Sequence, residues 1–305
     1  MCGRYYRRSD KQRIAEAYRL GEIPFDLVLP DWNFNVAPTT FQPVIRMLEG
    51  REQETEGLGT EGLGTREQGT RELVPSGSEL VPTRELVLMR WGLVPSFTKQ
   101  LSDVKGISTI NARAETVQTS PVWRGPFRKR RCLVPADGFS EWKRGEAENS
   151  IGAKSGSDEE SGIGAKNSLF AKGGAEEKRR EKSRVESRLG EKTKQPYAFH
   201  MADDAPFAFA GLWDAWRAPD ESWLLSFSIV TTEANALMAP VHNRMPVIVH
   251  PRDYDRWLRV EEDAAPLDLL RPYEAEAMAC APANPKVGNT RNNGPEMLWG
   301  SGLAK

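Results

Sequence analysis

The chain opens Met1-Cys2-Gly3-Arg4-Tyr5. Methionine aminopeptidases trim an initiator Met when the next side chain is small, so Cys2 is expected to become a mature amino terminus. A terminal cysteine carries an α-amine with a pKa near about 7.7–8.0 and a thiol near about 8.5, on adjacent carbons. Both are nucleophilic at neutral pH, a pairing that no internal cysteine offers. An aldehyde meeting the pair forms an imine with the amine, and the thiol then closes a five-membered thiazolidine ring. Cys2 is therefore the first candidate for covalent chemistry.

Four short segments carry further polar residues in tight settings. Ile110-Asn-Ala-Arg-Ala-Glu115 puts Asn111, Arg113 and Glu115 on one side if the segment is extended. Pro135-Ala-Asp-Gly-Phe-Ser-Glu-Trp142 offers Glu141 just after a glycine-containing turn, and Val241-His-Asn-Arg-Met-Pro246 offers His242 and Arg244 before an apolar strand. Asn35-Val-Ala-Pro38 reads as a turn with an amide donor. Singly, each has an ordinary explanation: a turn-forming Asn111, a solvated Glu141, a surface His242. Their occurrence beside a terminal cysteine changes the weighing. With 3 histidines in the chain, roles that need imidazole have few candidates. The 3 cysteines, Cys2, Cys132 and Cys280, have neither metal-like spacing nor the density of a disulfide framework. No metal and no organic cofactor is expected.

The elements that must position these residues are mostly strands. Strand-like runs cover 43–48, 85–91, 139–142, 197–201, 208–213, 223–231 and 246–249. Ser9 followed by Gln12 predicts a capping box that opens a helix with Ile14, Ala17 and Tyr18 on one face and Gly21 at its end. A second helix is expected from Pro251, with Tyr254, Trp257 and Leu258 apolar. Strands joined by short turns, without βαβ alternation, predict an α+β fold: a mixed, mainly antiparallel, barrel-like sheet with peripheral helices. One domain over residues 2–299 is expected, interrupted by two low-complexity insertions.

The first insertion, 49–85, is built of degenerate pentads such as Glu56-Gly-Leu-Gly-Thr60 and Glu61-Gly-Leu-Gly-Thr65, a period that suits neither helix nor strand. The second, 145–195, repeats Ile-Gly-Ala-Lys and then runs into a dense Glu/Lys/Arg stretch. Each lies between two strand-like runs, so both read as disordered, overgrown hairpin tips, cheap in loop-closure entropy. The chain of 305 residues has net charge −1; the first insertion holds −5, the second +1, and the remainder +3. That mildly basic remainder permits a phosphate-contacting groove. No run approaches the roughly 18 apolar residues of a membrane span, and no secretory leader is visible. A cytoplasmic, nucleoid-associated, monomeric protein is expected.

Taken in order, the segments resemble the SOS response-associated peptidase (SRAP) family, abasic-site processing proteins that crosslink to DNA. The resemblance runs through Met-Cys-Gly-Arg, Asn35-Val-Ala-Pro38, Arg90-Trp-Gly-Leu-Val-Pro95, Ile110-Asn-Ala-Arg113, Cys132-Leu-Val-Pro-Ala-Asp-Gly-Phe-Ser-Glu-Trp142, Ala210-Gly-Leu-Trp213 and His242-Asn-Arg-Met-Pro246. It ends near Val287-Gly-Asn-Thr-Arg-Asn-Asn293 and covers nearly all of the chain outside the insertions. The pentads depart from the family pattern.

The resemblance implies an abasic site in single-stranded DNA as substrate, its ring-opened sugar exposing an aldehyde. It implies Cys2 as nucleophile, His242 as acid/base near the sugar, and Glu141 as proton shuttle in crosslinking and its reversal. Asn111 would orient the sugar or amine. Arg4, Arg113 and Arg244 are the implied phosphate contacts. Asn35 supplies an amide in the DNA groove, and Trp91 or Pro38 would pack beside an unstacked base. The family's name also implies autoproteolysis exposing Cys2. Two alternatives remain: a non-covalent DNA-binding module, and a hydrolase like the class II glutamine amidotransferases, whose mature chains also begin with cysteine.

Overall fold

In a computed structural model, residues 2–21, 23, 26–30, 32–48, 84–104, 108–143, 194–260 and 265–299 are described. The strands are β1 (Arg4–Arg7), β2 (Asn33–Val36), β3 (Phe41–Met47), β4 (Arg84–Trp91), β5 (Asn111–Arg113), β6 (Arg131–Ala136) and β7 (Gly138–Trp142). There follow β8 (Pro196–Met201), β9 (Phe207–Arg217), β10 (Trp223–Glu233), β11 (Arg244–Pro246), β12 (Ile248–Val249) and β13 (Met278–Pro282). The α-helices are α1 (Lys11–Tyr18), α2 (Arg124–Lys129) and α3 (Tyr254–Leu258).

Five strands close on themselves in the order β10-β4-β3-β6-β9 and back to β10. Closure removes the open edges that a flat sheet of these strands would expose. All the pairings are antiparallel except β10 with β4, so the expected mixed, mainly antiparallel barrel is found. β5 joins β10 in parallel, and β11 and β12 extend β10 and β9. A second, antiparallel sheet runs β13-β8-β7-β1-β2.

Alternation along the barrel strands separates two hydrophobic clusters, as the period-2 geometry of strands requires. Val44, Cys132, Val134, Phe209 and Ile229 face a cluster shared with Tyr5, Phe139 and Phe199 of the second sheet. Their neighbours Ile45, Leu133, Ala208, Ala210 and Val230 face the other way, against Ile14 and Tyr18 of α1 and Tyr254 and Trp257 of α3. A one-residue register slip would exchange the two sets, so the register is firmly specified.

Both insertions open from paired strand ends. β3 and β4 pair from Phe41↔Arg90 out to Met47↔Arg84, and β7 and β8 out to Trp142↔Pro196. The insertions themselves fall outside the described residues, apart from a few flanking positions.

The expected capping box does not form. Asp10 is the N-cap of α1, accepting from Arg13 N at 2.8 Å, while Ser9 is drawn away to a buried acid. That acid is Asp137, which accepts from Arg8 N at 2.6 Å, Ser9 N at 2.9 Å and Ser9 Oγ at 2.8 Å. The helix ends at Arg19, in the left-handed region at φ 49°, before Gly21 is reached. The second helix begins as expected: a 3-10 turn at Pro251–Asp253 leads into α3.

Asp137 thus nails the end of β1 to the turn between β6 and β7. Its neighbour Gly138 pairs with Tyr6, and a Cβ there would lie 2.2 Å from the Tyr6 ring. Only glycine lets the two strands meet at this point. Among the described residues, no helix is long and apolar enough to cross a membrane.

Candidate functional site

Cys2 sits two residues before the start of β1 and is fully buried in the first hydrophobic cluster. Burial pushes its thiol well above the ordinary value, and the nearby Glu141 carboxylate pushes it further. The resting side chain is therefore the neutral thiol, with Sγ directed toward Arg4 O at 3.8 Å.

Three elements converge on it. β7 pairs with β1 through Arg4↔Ser140, so one step further along that register Glu141 comes across from Gly3. Glu141 is 3% exposed, which excludes a solvated carboxylate. β5 rides on β10 through Ile229↔Asn111, and the Asn111 side-chain Nδ2 donates to Cys2 O at 2.9 Å. Asn111 Oδ1 is buried without a hydrogen-bond partner and is the acceptor left for a ligand. The sequence expectation of one extended run through Glu115 is corrected: extension stops at Arg113, and Ala114–Thr116 form a 3-10 turn.

The turn before β11 supplies His242, 7% exposed. Its Nδ1 lies 3.0 Å from Arg244 N and 3.1 Å from Arg244 O. The neutral ring with its proton on Nε2 accepts from that N–H and presents an Nε2–H donor, while the ring with a proton on Nδ1 donates to that carbonyl. The Arg244 guanidinium pairs with both Glu115 oxygens, at 2.6 and 2.9 Å, and donates from Nη2 to Thr231 O at 2.7 Å.

The residues assigned to DNA divide. Arg113 is exposed at the end of β5. Arg4 is partly buried, with Nη1 donating to Gly3 O at 2.7 Å. Pro38 is partly exposed at a turn where Thr39 takes φ 72°. Two assignments are corrected. Trp91 is 0% exposed, stacked with Phe227 and bonded through Nε1 to Ile110 O at 3.0 Å, so it cannot pack on a base. Asn35 is also buried, and its Nδ2 already serves Asn289 O and Asn292 O at 3.0 and 2.9 Å. Its role is to hold the 289–292 segment against β2.

Sequence reasoning missed Phe97, 66% exposed on the loop that follows Trp91. Ser96 N donates to Asp214 Oδ2 at 2.9 Å and Trp216 Nε1 to Thr98 O at 2.7 Å, so the loop is fixed on both sides of it. Its signal was an aromatic among Ser96, Thr98, Lys99 and Gln100, where no core is built. The partnership of Glu115 with Arg244 also went unread, because the two lie 129 positions apart. Among the described residues, no cluster of His, Cys, Asp and Glu could hold a metal ion.

The arrangement brings together a buried thiol, a buried carboxylate and a carboxamide that grips the backbone of the thiol residue, and the turn before β11 supplies a buried imidazole. Comparisons with known proteins assign the chain to a family. Residues 1–156 and 186–290 match the family described as SOS response associated peptidase (SRAP). The chain is 31% identical over 212 residues to abasic site processing protein YoqW of Bacillus subtilis, covering 69% of this chain and 74% of that one. It is 30% identical to the mouse abasic site processing protein HMCES over 70% of this chain and 56% of that one. Crystal structures of a Bacteroides thetaiotaomicron protein (TM-score 0.62, 20% identity, 98% and 99% of the chains covered) and a Bordetella bronchiseptica protein (0.59, 22%, 93% and 100%) share the fold. With this match over most of its length, the chain belongs to the SOS response associated peptidase family.

Proposed function

We propose that this protein recognises abasic sites in single-stranded DNA and joins them covalently through Cys2. The observation that carries the reading is the grip of Asn111 on the Cys2 carbonyl, which fixes the second residue of the chain beside Glu141. The names of the relatives, abasic site processing proteins, support the substrate class.

The chemistry follows from protonation states. With any preceding residue removed, Cys2 presents an α-amine, a group whose unperturbed pKa is near about 8. Its thiol is held neutral by burial, so the amine attacks first. Nitrogen adds to the C1′ aldehyde and one water leaves, giving an imine. Sulfur then adds to the imine carbon while its proton passes to nitrogen, closing the thiazolidine. Glu141 moves the protons in both steps, and the Nε2–H of His242 donates to the sugar oxygen as the ring opens. Arg113 and Arg4 hold the phosphates, and Phe97 or Pro38 packs against the exposed base.

Intact mass spectrometry before and after incubation with abasic single-stranded DNA tests the reading. The expected product is protein lacking Met1 joined to DNA with loss of one water, absent from Cys2→Ala. An adduct that persists in Cys2→Ala, or none in the wild type, overturns it. A Cys2→Ala protein that retains full function in damage tolerance would favour the non-covalent alternative.

A further inference from the structure

The Glu115 carboxylate is 54% exposed, yet it does not point into water: it meets Arg244 end-on through two hydrogen bonds. An exposed pair of this kind adds little to stability. What it joins is more informative. Glu115 stands four residues after Asn111, on the 3-10 turn that ends β5. Arg244 stands two residues after His242, and both its backbone N–H and its carbonyl lie within hydrogen-bond distance of the imidazole Nδ1. The same guanidinium donates to Thr231 O, and Thr231 is the β10 residue paired with Arg113 on one side and with Pro246 on the other. Carboxylate, guanidinium and carbonyl therefore knit together three strands, two of which flank the site residues Asn111 and His242.

We propose that Glu115 is a positioning residue, bracing Arg244 so that His242 keeps its proton on Nε2 and stays in register with Asn111. The inference rests on the proposed function for its importance, and on geometry alone for its existence. A guanidinium has five N–H groups, and the pairing with Glu115 and Thr231 O uses three of them. Nε is buried, so a single Nη1 N–H is left for a phosphate while the brace holds. Bidentate geometry makes the difference: a Lys at 244 could not satisfy both oxygens and the carbonyl in one plane.

Two measurements on Glu115→Ala and Glu115→Gln test the brace. The first is the ¹⁵N imidazole spectrum of the protein without DNA, with the His242 signals assigned by comparison with His242→Gln. The wild type should show His242 with Nε2 protonated and Nδ1 an acceptor, and Glu115→Ala a mixture of tautomers. The second is single-turnover adduct formation with an oligodeoxynucleotide carrying one abasic site. Glu115→Ala should lower the rate at saturating DNA by about ten- to a hundredfold, the cost of a small misplacement of reacting groups. Its half-saturating DNA concentration should stay near wild type. Glu115→Gln, which keeps the shape and one acceptor, should fall between; it carries the test if the alanine variant fails to fold. A wild-type tautomer and wild-type rate in both variants overturn the brace, as does tighter binding of undamaged DNA with no loss of rate, which would make Glu115 a screen against phosphate. Should the wild type form no Cys2-dependent adduct, the proposed function falls, while the imidazole spectrum still decides the brace.

Discussion

Asn111 Nδ2 donates to the carbonyl oxygen of Cys2 at 2.9 Å, across 109 positions of sequence. The amide holds the residue by its backbone, so it orients the nucleophile without touching amine or thiol.

Asn111→Ala should therefore lower both stability and rate. A buried carbonyl left without its donor costs about 1–3 kcal/mol. Thermal unfolding and single-turnover adduct formation report the two effects. A variant with wild-type melting and wild-type rate would show that the contact is idle.

Gly138→Ala should be severe for its size. The added methyl would lie 2.2 Å from the ring of Tyr6, itself 3% exposed and unable to swing out. Overpacking typically costs about 1–3 kcal/mol. Because β1 carries the strain toward Cys2, adduct yield should drop with the melting temperature. Adding Tyr6→Leu should recover part of both.

Trp91 and Phe97 should behave oppositely. Trp91→Ala empties a core position and should cost about 3–5 kcal/mol of stability. Phe97→Ala should leave stability within about 0.5 kcal/mol, yet weaken single-stranded DNA by about 1–3 kcal/mol if a base stacks on it. Chemical denaturation and DNA titration separate them. Equal stability losses would return Phe97 to the fold.

The pH dependence should show two signs. The adduct rate should rise from pH 6 to about 8 as the α-amine loses its proton. Glu141 raises the thiol pKa of Cys2, so Glu141→Gln should lower it. The variant should crosslink about 10²–10⁴ times more slowly, while alkylation of its Cys2 thiol sets in at lower pH than in the wild type. Labelling against pH, read by mass spectrometry, checks this; an unchanged or upward shift counts against the assigned neighbour.

Deleting 51–83 and 147–193 should leave melting and crosslinking nearly unchanged, since the flanking strands already pair at Met47↔Arg84 and Trp142↔Pro196. A loss beyond about 2 kcal/mol, the scale of a core defect, would show that one of the segments packs.

Much of the fold was legible because alternation is written residue by residue: Val44 against Ile45, Cys132 against Leu133, Ile229 against Val230. Asn111, Glu141 and His242 stood out in the sequence as chemically capable residues. Their surroundings were not, because burial is a property of what arrives from elsewhere. Trp91 looked like a base platform until Phe227 and the Ile110 carbonyl occupied it. Asn35 looked like a free amide until the carbonyls of Asn289 and Asn292 did the same. Ser9 looked like a cap, and its hydroxyl was claimed by Asp137 across 128 positions. Local signals fail where a distant partner offers a stronger hydrogen bond.

The complete burial of Cys2 also imposes an order of events on the ribosome. β1 cannot zip onto β7, nor Asn111 reach the Cys2 carbonyl, until more than a hundred residues beyond Cys2 have emerged. Throughout that interval Cys2 is open to solvent; once the strand closes, its side chain is shut away. Any reagent that must reach the Cys2 side chain from solvent therefore has either that interval in which to act, or a reopening of the strand.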